Sequence, residues 1–565
     1  MNYVARSADS SSRLENSPTS FSAEARFGHV VSVSGAQAVV VLDLPANPRD
    51  GGRIDIGMLV KIVTPISSVV GVIAAMTSPL PSSSVEDGEV RLVELTLAGE
   101  IFPDERSRIP YFRKGVSNSP SLGDPACFVT REELACVYMQ PNTTTIEVGK
   151  LFQDREVPAC LSVDELFGKH FMVVGTTGSG KSCAVSCILR QVLEEHPFAH
   201  VVVLDIHNEY AQAFKDKAEL VHPNNLRLPF WLLNFQELCT VFTGTDAHHD
   251  AEAQILSEAI VAAKRRRLET DTGVVNVVVQ QPAGVKTKPE PKSITVDTPC
   301  PFHLSDVVSY IDEQLGKLER LQATLPYLRL KNRVEALVSD ARYGFMFRSL
   351  MVEDTMTDVL GRIFRVPTDG KPITVIDLAA VPSEILDVVI SLIARIAYDL
   401  AVWSDGQMPM LLVCEEAHRY APAGDEGKFI PTRQALAQIA KEGRKYGISI
   451  GLITQRPSEL DATIISQCST VIAMRLFTDR DQQAVRASIH ESALDILEYL
   501  PLLGDREAII LGQGAPMPMR ICFSELASPV QLRNRNTGFS KAWRQAGIDR
   551  KTLEQVVALW RSGGR

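Results

Sequence analysis

Between Arg26 and about Gln140, apolar and polar residues alternate in short runs broken by turn formers. Val31-Ser-Val-Ser-Gly35 precedes Ala38-Val-Val-Val-Leu42, and Gly57-Met-Leu-Val-Lys-Ile62, Val69-Val-Gly-Val-Ile73 and Val90-Arg-Leu-Val-Glu-Leu-Thr-Leu97 follow. Period-two runs rich in β-branched residues, with Gly, Pro, Asn and Ser between them, predict a small antiparallel β-barrel over residues 25–145. Further on the pattern changes. Phe171-Met-Val-Val174, His200-Val-Val-Val-Leu-Asp205, Ile373-Thr-Val-Ile-Asp377, Met410-Leu-Leu-Val-Cys414, Ser449-Ile-Gly-Leu-Ile-Thr-Gln455, Thr470-Val-Ile-Ala-Met-Arg475 and Glu507-Ala-Ile-Ile-Leu511 are mostly continuous apolar runs. Runs of that kind suit strands covered on both faces, and helical stretches between them predict a doubly wound α/β domain over residues 146–527. Inside it, about 240–365, strand signals fade. Ala251 to Arg267 and Phe302 to Ser339 read as helices of an insertion, and Gln280 to Lys292 reads as a proline-rich loop.

The longest apolar helix pattern, Ile385 to Trp403, carries Asp387, Ser391, Arg395 and Asp399 four residues apart. A polar stripe of that period belongs to a packed helix and not to a membrane span. No membrane segment is expected elsewhere. Residues 1–24, rich in Ser and without an apolar stretch, read as a disordered leader and not as a signal peptide. Residues 528–565 hold eight Lys or Arg against two acidic residues, a basic arm in a chain of net charge −10. That overall charge argues against a basic coat but leaves room for cations confined to a pore. Ten cysteines without a Cys-x-x-Cys pair fit a reducing, cytoplasmic setting.

Candidate chemistry starts at Gly175-Thr-Thr-Gly-Ser-Gly-Lys-Ser182, between an apolar strand and the helix-like Cys183-Ala-Val-Ser-Cys-Ile-Leu-Arg190. This order of parts cradles phosphates. Backbone N–H groups of Gly175, Thr176, Thr177, Gly178, Ser179, Gly180 and Cys183 face the anion, and Lys181 reaches the β- and γ-phosphates of ATP while Ser182 ligates Mg²⁺. A second strand delivers Glu415-Glu-Ala-His418. Glu415 is placed to hold the Mg²⁺ shell, and Glu416 to orient and polarise the attacking water as general base. Glu442-Gly-Arg-Lys-Tyr-Gly447 offers Arg444, with Lys445 second, as a cation donated to the γ-phosphate of a neighbouring subunit. Gln455, at its strand end, suits sensing the γ-phosphate or holding water; Arg456 and Arg475 are lesser candidates. Two other clusters read as structural: Lys264-Arg-Arg-Arg267 as a solvated helix end, and His248-His-Asp250 as lacking partner ligands for a metal.

Together, Gly175 to Ser182, Asp205-Ile-His-Asn-Glu-Tyr210, Glu415 to His418, Glu442 to Lys445 and Thr454-Gln-Arg-Pro-Ser-Glu459 resemble the HerA family, ring-forming ATPases related to the FtsK DNA pumps. Arg26-Phe-Gly-His-Val30, Gly57 to Ile62 and the pre-loop His170 are similar to that family as well. The family pattern often carries Asp where Glu415 stands. The resemblance implies a RecA-like P-loop core behind a HAS-type barrel and a homo-hexamer that translocates double-stranded DNA. It also implies a partner: a NurA-type nuclease in DNA end processing, or an effector enzyme in antiviral defence. The alternative is an ATP-stabilised hexameric scaffold that assembles and regulates such a partner. A pump feeding a secretion channel would require a membrane anchor.

Overall fold

The structure is a computed structural model that describes residues 26–43, 54–78, 91–103, 110–139, 143–222, 225–243, 249–271, 294–317, 321–347, 354–379, 381, 383–424, 430–489, 494–526 and 550–562. The expected leader, the proline-rich loop, His248 and most of the basic arm lie outside them. The chain divides into two compact units, one ending at Val137 and the other beginning at Tyr138.

In the first unit, β1 (Arg26–Ser34), β2 (Gln37–Leu42), β3 (Leu59–Val63), β4 (Ser68–Thr77), β5 (Leu92–Phe102), β6 (Tyr111–Lys114) and β7 (Pro125–Phe128) form one antiparallel sheet ordered β2-β1-β7-β3-β4-β5-β6. Pairing of β2 with β5, Gln37 opposite Thr96 through Val41 opposite Leu92, closes six of these strands into a barrel and leaves β6 as an appendage. Bulges in β1 and β4 supply the curvature that closure needs. Alternate residues point inward. Val30, Val40, Val60, Ile62, Val69, Ile73, Val93, Leu95 and Ala126 make the core. A buried ion pair breaks that apolar rule: Lys61 Nζ lies 2.7 Å from Glu133 Oε1, and Glu133 Oε2 also accepts from Thr130 N at 2.8 Å.

The second unit is built on eleven strands: β8 (Thr145–Leu151), β9 (Pro158–Ser162), β10 (His170–Val174), β11 (His200–Asp205), β12 (Ala218–Val221), β13 (Ile373–Asp377), β14 (Met410–Cys414), β15 (Ile448–Thr454), β16 (Cys468–Ala473), β17 (Glu507–Gly512) and β18 (Met519–Phe523). Their order is β12-β13-β11-β14-β15-β10-β16-β17-β18-β8-β9. From β12 to β16 neighbours run parallel; β17, β18, β8 and β9 extend the sheet antiparallel. Strands β10, β14 and β15 are buried along their whole length, as their apolar runs require. This is a RecA-like P-loop core.

Between β12 and β13 the chain forms helices Phe235–Thr243, His249–Asp271, Leu304–Leu315 and Leu321–Ser339, among others. The basic quartet there is solvated only in part: Arg265 is exposed, as expected of a helix face in water, but its neighbours are not all so. Lys264 is buried, and its ammonium donates to Val296 O at 2.6 Å and Thr298 O at 2.7 Å; Arg266 pairs with Glu313. In helix Ser383–Trp403 the polar stripe meets Glu237: Ser391 Oγ donates to it at 2.7 Å and Arg395 pairs with it at 3.0 Å. Among the described residues no helix is long and apolar enough to cross a membrane.

Candidate active site

Strand β10 ends at Val174, and the chain turns through Gly175 to Gly180 into helix Lys181–Glu195. Gly178 and Gly180 take φ of +79° and +105°, where a side chain would be strained. Gly175 is needed for space as well, since a Cβ there would lie 2.6 Å from Ser179 Oγ. Neighbouring strands pin the loop from both sides. Gly175 N donates to Thr454 O at 3.3 Å at the end of β15, and Thr176 N to Arg475 O at 2.9 Å beyond β16.

Lys181 is buried and folds back over its own loop, donating to Gly175 O at 2.9 Å and Thr176 O at 3.1 Å. Burial pulls its ammonium below the usual lysine range, and the charges of Glu416, Glu209 and Glu415 oppose that shift. Ser182 Oγ donates to Glu209 Oε2, a residue that the sequence reading did not select. The hard oxygens of Ser182 and Glu209 suit Mg²⁺, which usually binds one or two protein oxygens together with substrate phosphates. Among the described residues no cluster of three or more His, Cys, Asp or Glu side chains could hold a metal without such help.

Parallel pairing of β11 with β14 sets Leu204 beside Cys414, so the carboxylates that follow them meet. Glu415 turns toward the chain after β11 and not toward Ser182: its Oε2 accepts from Ile206 N at 2.8 Å and His207 N at 3.2 Å. Asp205 accepts from Glu209 N at 3.0 Å and Tyr210 N at 2.9 Å. Burial pushes both carboxyls up, and the charge of Asp205 and its hydrogen bond raise Glu415 further, while backbone N–H groups and Glu415 hold Asp205 back. The pair fixes the turn that carries Glu209.

Glu416 points the other way. It sits in left-handed backbone, φ 47°, is buried, and accepts from Gln455 Nε2; Gln455 Oε1 in turn accepts from Thr177 Oγ1 of the phosphate loop. A continuous chain of hydrogen bonds therefore links the loop to the carboxylate read as general base. His418 Nδ1 lies 3.2 Å from Glu416 Oε2 but is engaged with Thr454 Oγ1 at 3.0 Å. Burial lowers the His418 pKa, with the Glu416 charge working against it. Cys183, on the loop helix, is half-buried and its thiol is pushed up by burial.

Arg444 is elsewhere. It precedes β15, whereas Gln455 follows it, so seven residues of strand separate Arg444 from the phosphate-loop edge of its own sheet. At about 3.3 Å per residue that is roughly 20 Å. Arg444 is exposed and has no hydrogen bond or ion pair to its side chain among the described residues. Lys445 lies over the Tyr446 ring at 5.2 Å. Arg456 pairs with Glu459 and Arg475 with Asp505.

A family model described as the central domain of helicase HerA matches residues 146–397. A probable helicase of Methanocaldococcus jannaschii is 26% identical over 66% of this chain and 66% of its own, so the chain spans just under two thirds of that relative. A DNA double-strand break repair helicase HerA of Pyrococcus furiosus is 25% identical over 71% of this chain and 74% of its own. Among solved structures, the bacterial conjugative coupling protein TrwB matches 72% of this chain and 95% of its own at 12% identity, with a TM-score of 0.46.

Proposed function

We propose that the chain is a HerA-type ATPase, an ATP-driven, ring-shaped translocase on double-stranded DNA. It works as a homo-hexamer with a partner nuclease in DNA end processing, or with another effector enzyme in antiviral defence; the names of its HerA relatives favour end processing. The observation that carries the reading is the linkage of Thr177, Gln455 and Glu416 beside Lys181, with an unpaired Arg444 at the far sheet edge.

The protein's part in turnover follows from those positions. Lys181 and the backbone amides of the loop bind the phosphates, and Lys181 must let go of Gly175 O and Thr176 O to do so. Glu416 accepts a proton from the attacking water while Gln455 holds the carboxylate in line. Ser182 and Glu209 would hold Mg²⁺, with Glu415 fixing the turn that carries Glu209, and the ion would supply positive charge to the phosphates. Arg444 stabilises the charge developing on a neighbour's γ-phosphate, the contribution of an arginine finger. Gln455 touches both the loop and Glu416, so the state of the γ-phosphate is passed to β15 and, along it, toward Arg444.

Contacts to DNA fall to the turn after Asp205 and to residues 419–433, of which 425–429 lie outside the described residues. Such contacts to phosphate make binding weaken with salt and ignore sequence. The test is ATP turnover with and without duplex DNA. Lys181→Ala is expected to abolish turnover and its stimulation; DNA-stimulated hydrolysis surviving in that variant refutes the assignment.

A further inference from the structure

We propose that Phe477, Leu502 and Arg475 form the seat for the base and ribose of the nucleotide, a site that deepens the ATP reading and rests on it. The phosphate loop has two unlike flanks. Toward β14 and β15 stand the carboxylates and Gln455, so the γ end of a triphosphate lies there. The other flank is built from the chain after β16 and before β17. Thr176 N donates to Arg475 O at 2.9 Å, Arg506 N donates to Ser179 O at 3.1 Å, and a Cβ on Gly180 would meet Arg506 Cγ at 3.5 Å. A nucleotide stretched along the loop from Glu416 must leave over this second flank.

What it meets there is apolar and uncovered. Phe477 is 62% exposed and Leu502 is 72% exposed. Their segments are tied together where Leu476 N donates to Leu500 O at 3.3 Å and Arg475 Nη1 to Leu503 O at 3.4 Å. The Arg475 guanidinium lies 5.9 Å from the Phe477 ring centroid and is held by Asp505 at 2.8 Å. Its Nε is buried and has no acceptor among the described residues. A buried charged N–H without an acceptor is costly, and an aromatic ring beside a cation in open solvent gains by being covered. A nucleoside meets the second need: its base stacks on Phe477 against Leu502 and covers the ring beside the Arg475 guanidinium. Such a seat reads the face of the base and not its edge, so it distinguishes nucleotides from bare phosphates better than one purine from another.

Titration calorimetry on the full chain with ATP and with inorganic tripolyphosphate, each with Mg²⁺, tests this. Phe477→Ala is expected to weaken ATP about tenfold or more, the scale of one aromatic–base stack, while tripolyphosphate binds as before. Phe477→Trp restores ATP. Equal loss for both ligands, or no loss for ATP, overturns the proposal. The second outcome joined to a smaller assembly mass marks the patch as a contact between copies instead. If Lys181→Ala leaves tripolyphosphate binding intact, the phosphate-site reading itself fails, and this seat with it.

Discussion

Glu416→Gln is the sharpest perturbation of the hydrolytic step because it changes one charge and little else. Glutamine keeps the length of the side chain, can still accept from Gln455 Nε2, and bears the same left-handed backbone at φ 47° as glutamate does. His418 stays on Thr454 Oγ1, so its position does not depend on the lost charge. Lys181 loses the largest of the three carboxylate influences on it but keeps those of Glu209 and Glu415. The fold and the phosphate cradle are therefore expected to survive, and what goes is proton acceptance from water. A positioned general base contributes about 10²- to 10⁴-fold. That is roughly 3–5 kcal/mol in the barrier. Phosphate release at saturating ATP and duplex DNA should fall by that factor, with calorimetric ATP affinity within a few-fold of the parent. Turnover within tenfold of the parent would show that Glu416 is not the base. A normal partner response in the inactive variant would favour the scaffold reading over the motor.

Two further predictions concern stability. Burial holds the His170 pKa at about 4, against an ordinary 6.5, while its Nδ1 accepts from Ile450 N at 3.1 Å. Below pH 6.5 the unfolded chain takes up a proton that the folded site refuses, so stability present above that pH is lost as pH falls toward 4, by about 3 kcal/mol at most. Thermal midpoints recorded across that window should flatten in His170→Gln; an unchanged slope refutes the assignment. In the barrel, Lys61→Met leaves the Glu133 carboxylate buried without its cation, which should cost about 3–5 kcal/mol. The double variant Lys61→Met/Glu133→Leu should recover most of that in thermal unfolding, whereas equal losses for single and double variants would show that the pair is not coupled.

Much of this was legible because its cause is local. Gly175 to Ser182 carries its own turn chemistry, and fully buried strands such as β14 leave a continuous apolar run. Ile448–Thr454 and Cys468–Ala473 fall within a residue or two of the runs that predicted them. The remainder depends on register between distant segments. Nothing in Asp205 alone says that its carboxyl will lie beside that of Glu415, since that follows from Leu204 lying beside Cys414 in the sheet. Glu209 was missed for the same reason, although it stands four residues after a carboxylate that ends a buried strand, the one hint available. Lys264 looked solvated because its cover, Val296 to Thr298, is a separate stretch some thirty residues on. Barrel closure likewise rests on β2 meeting β5, which period-two patterning cannot specify.

We propose that each ATP site is completed by Arg444 of another copy, because that residue lies a strand length from its own phosphate loop. Mixing Lys181→Ala protein with Arg444→Ala protein, each inactive alone, tests it directly. After subunit exchange some interfaces combine an intact Lys181 on one copy with an intact Arg444 on the next, and ATP turnover should reappear in the mixture. Silence at every mixing ratio, with exchange verified by labelled subunits, contradicts a shared site.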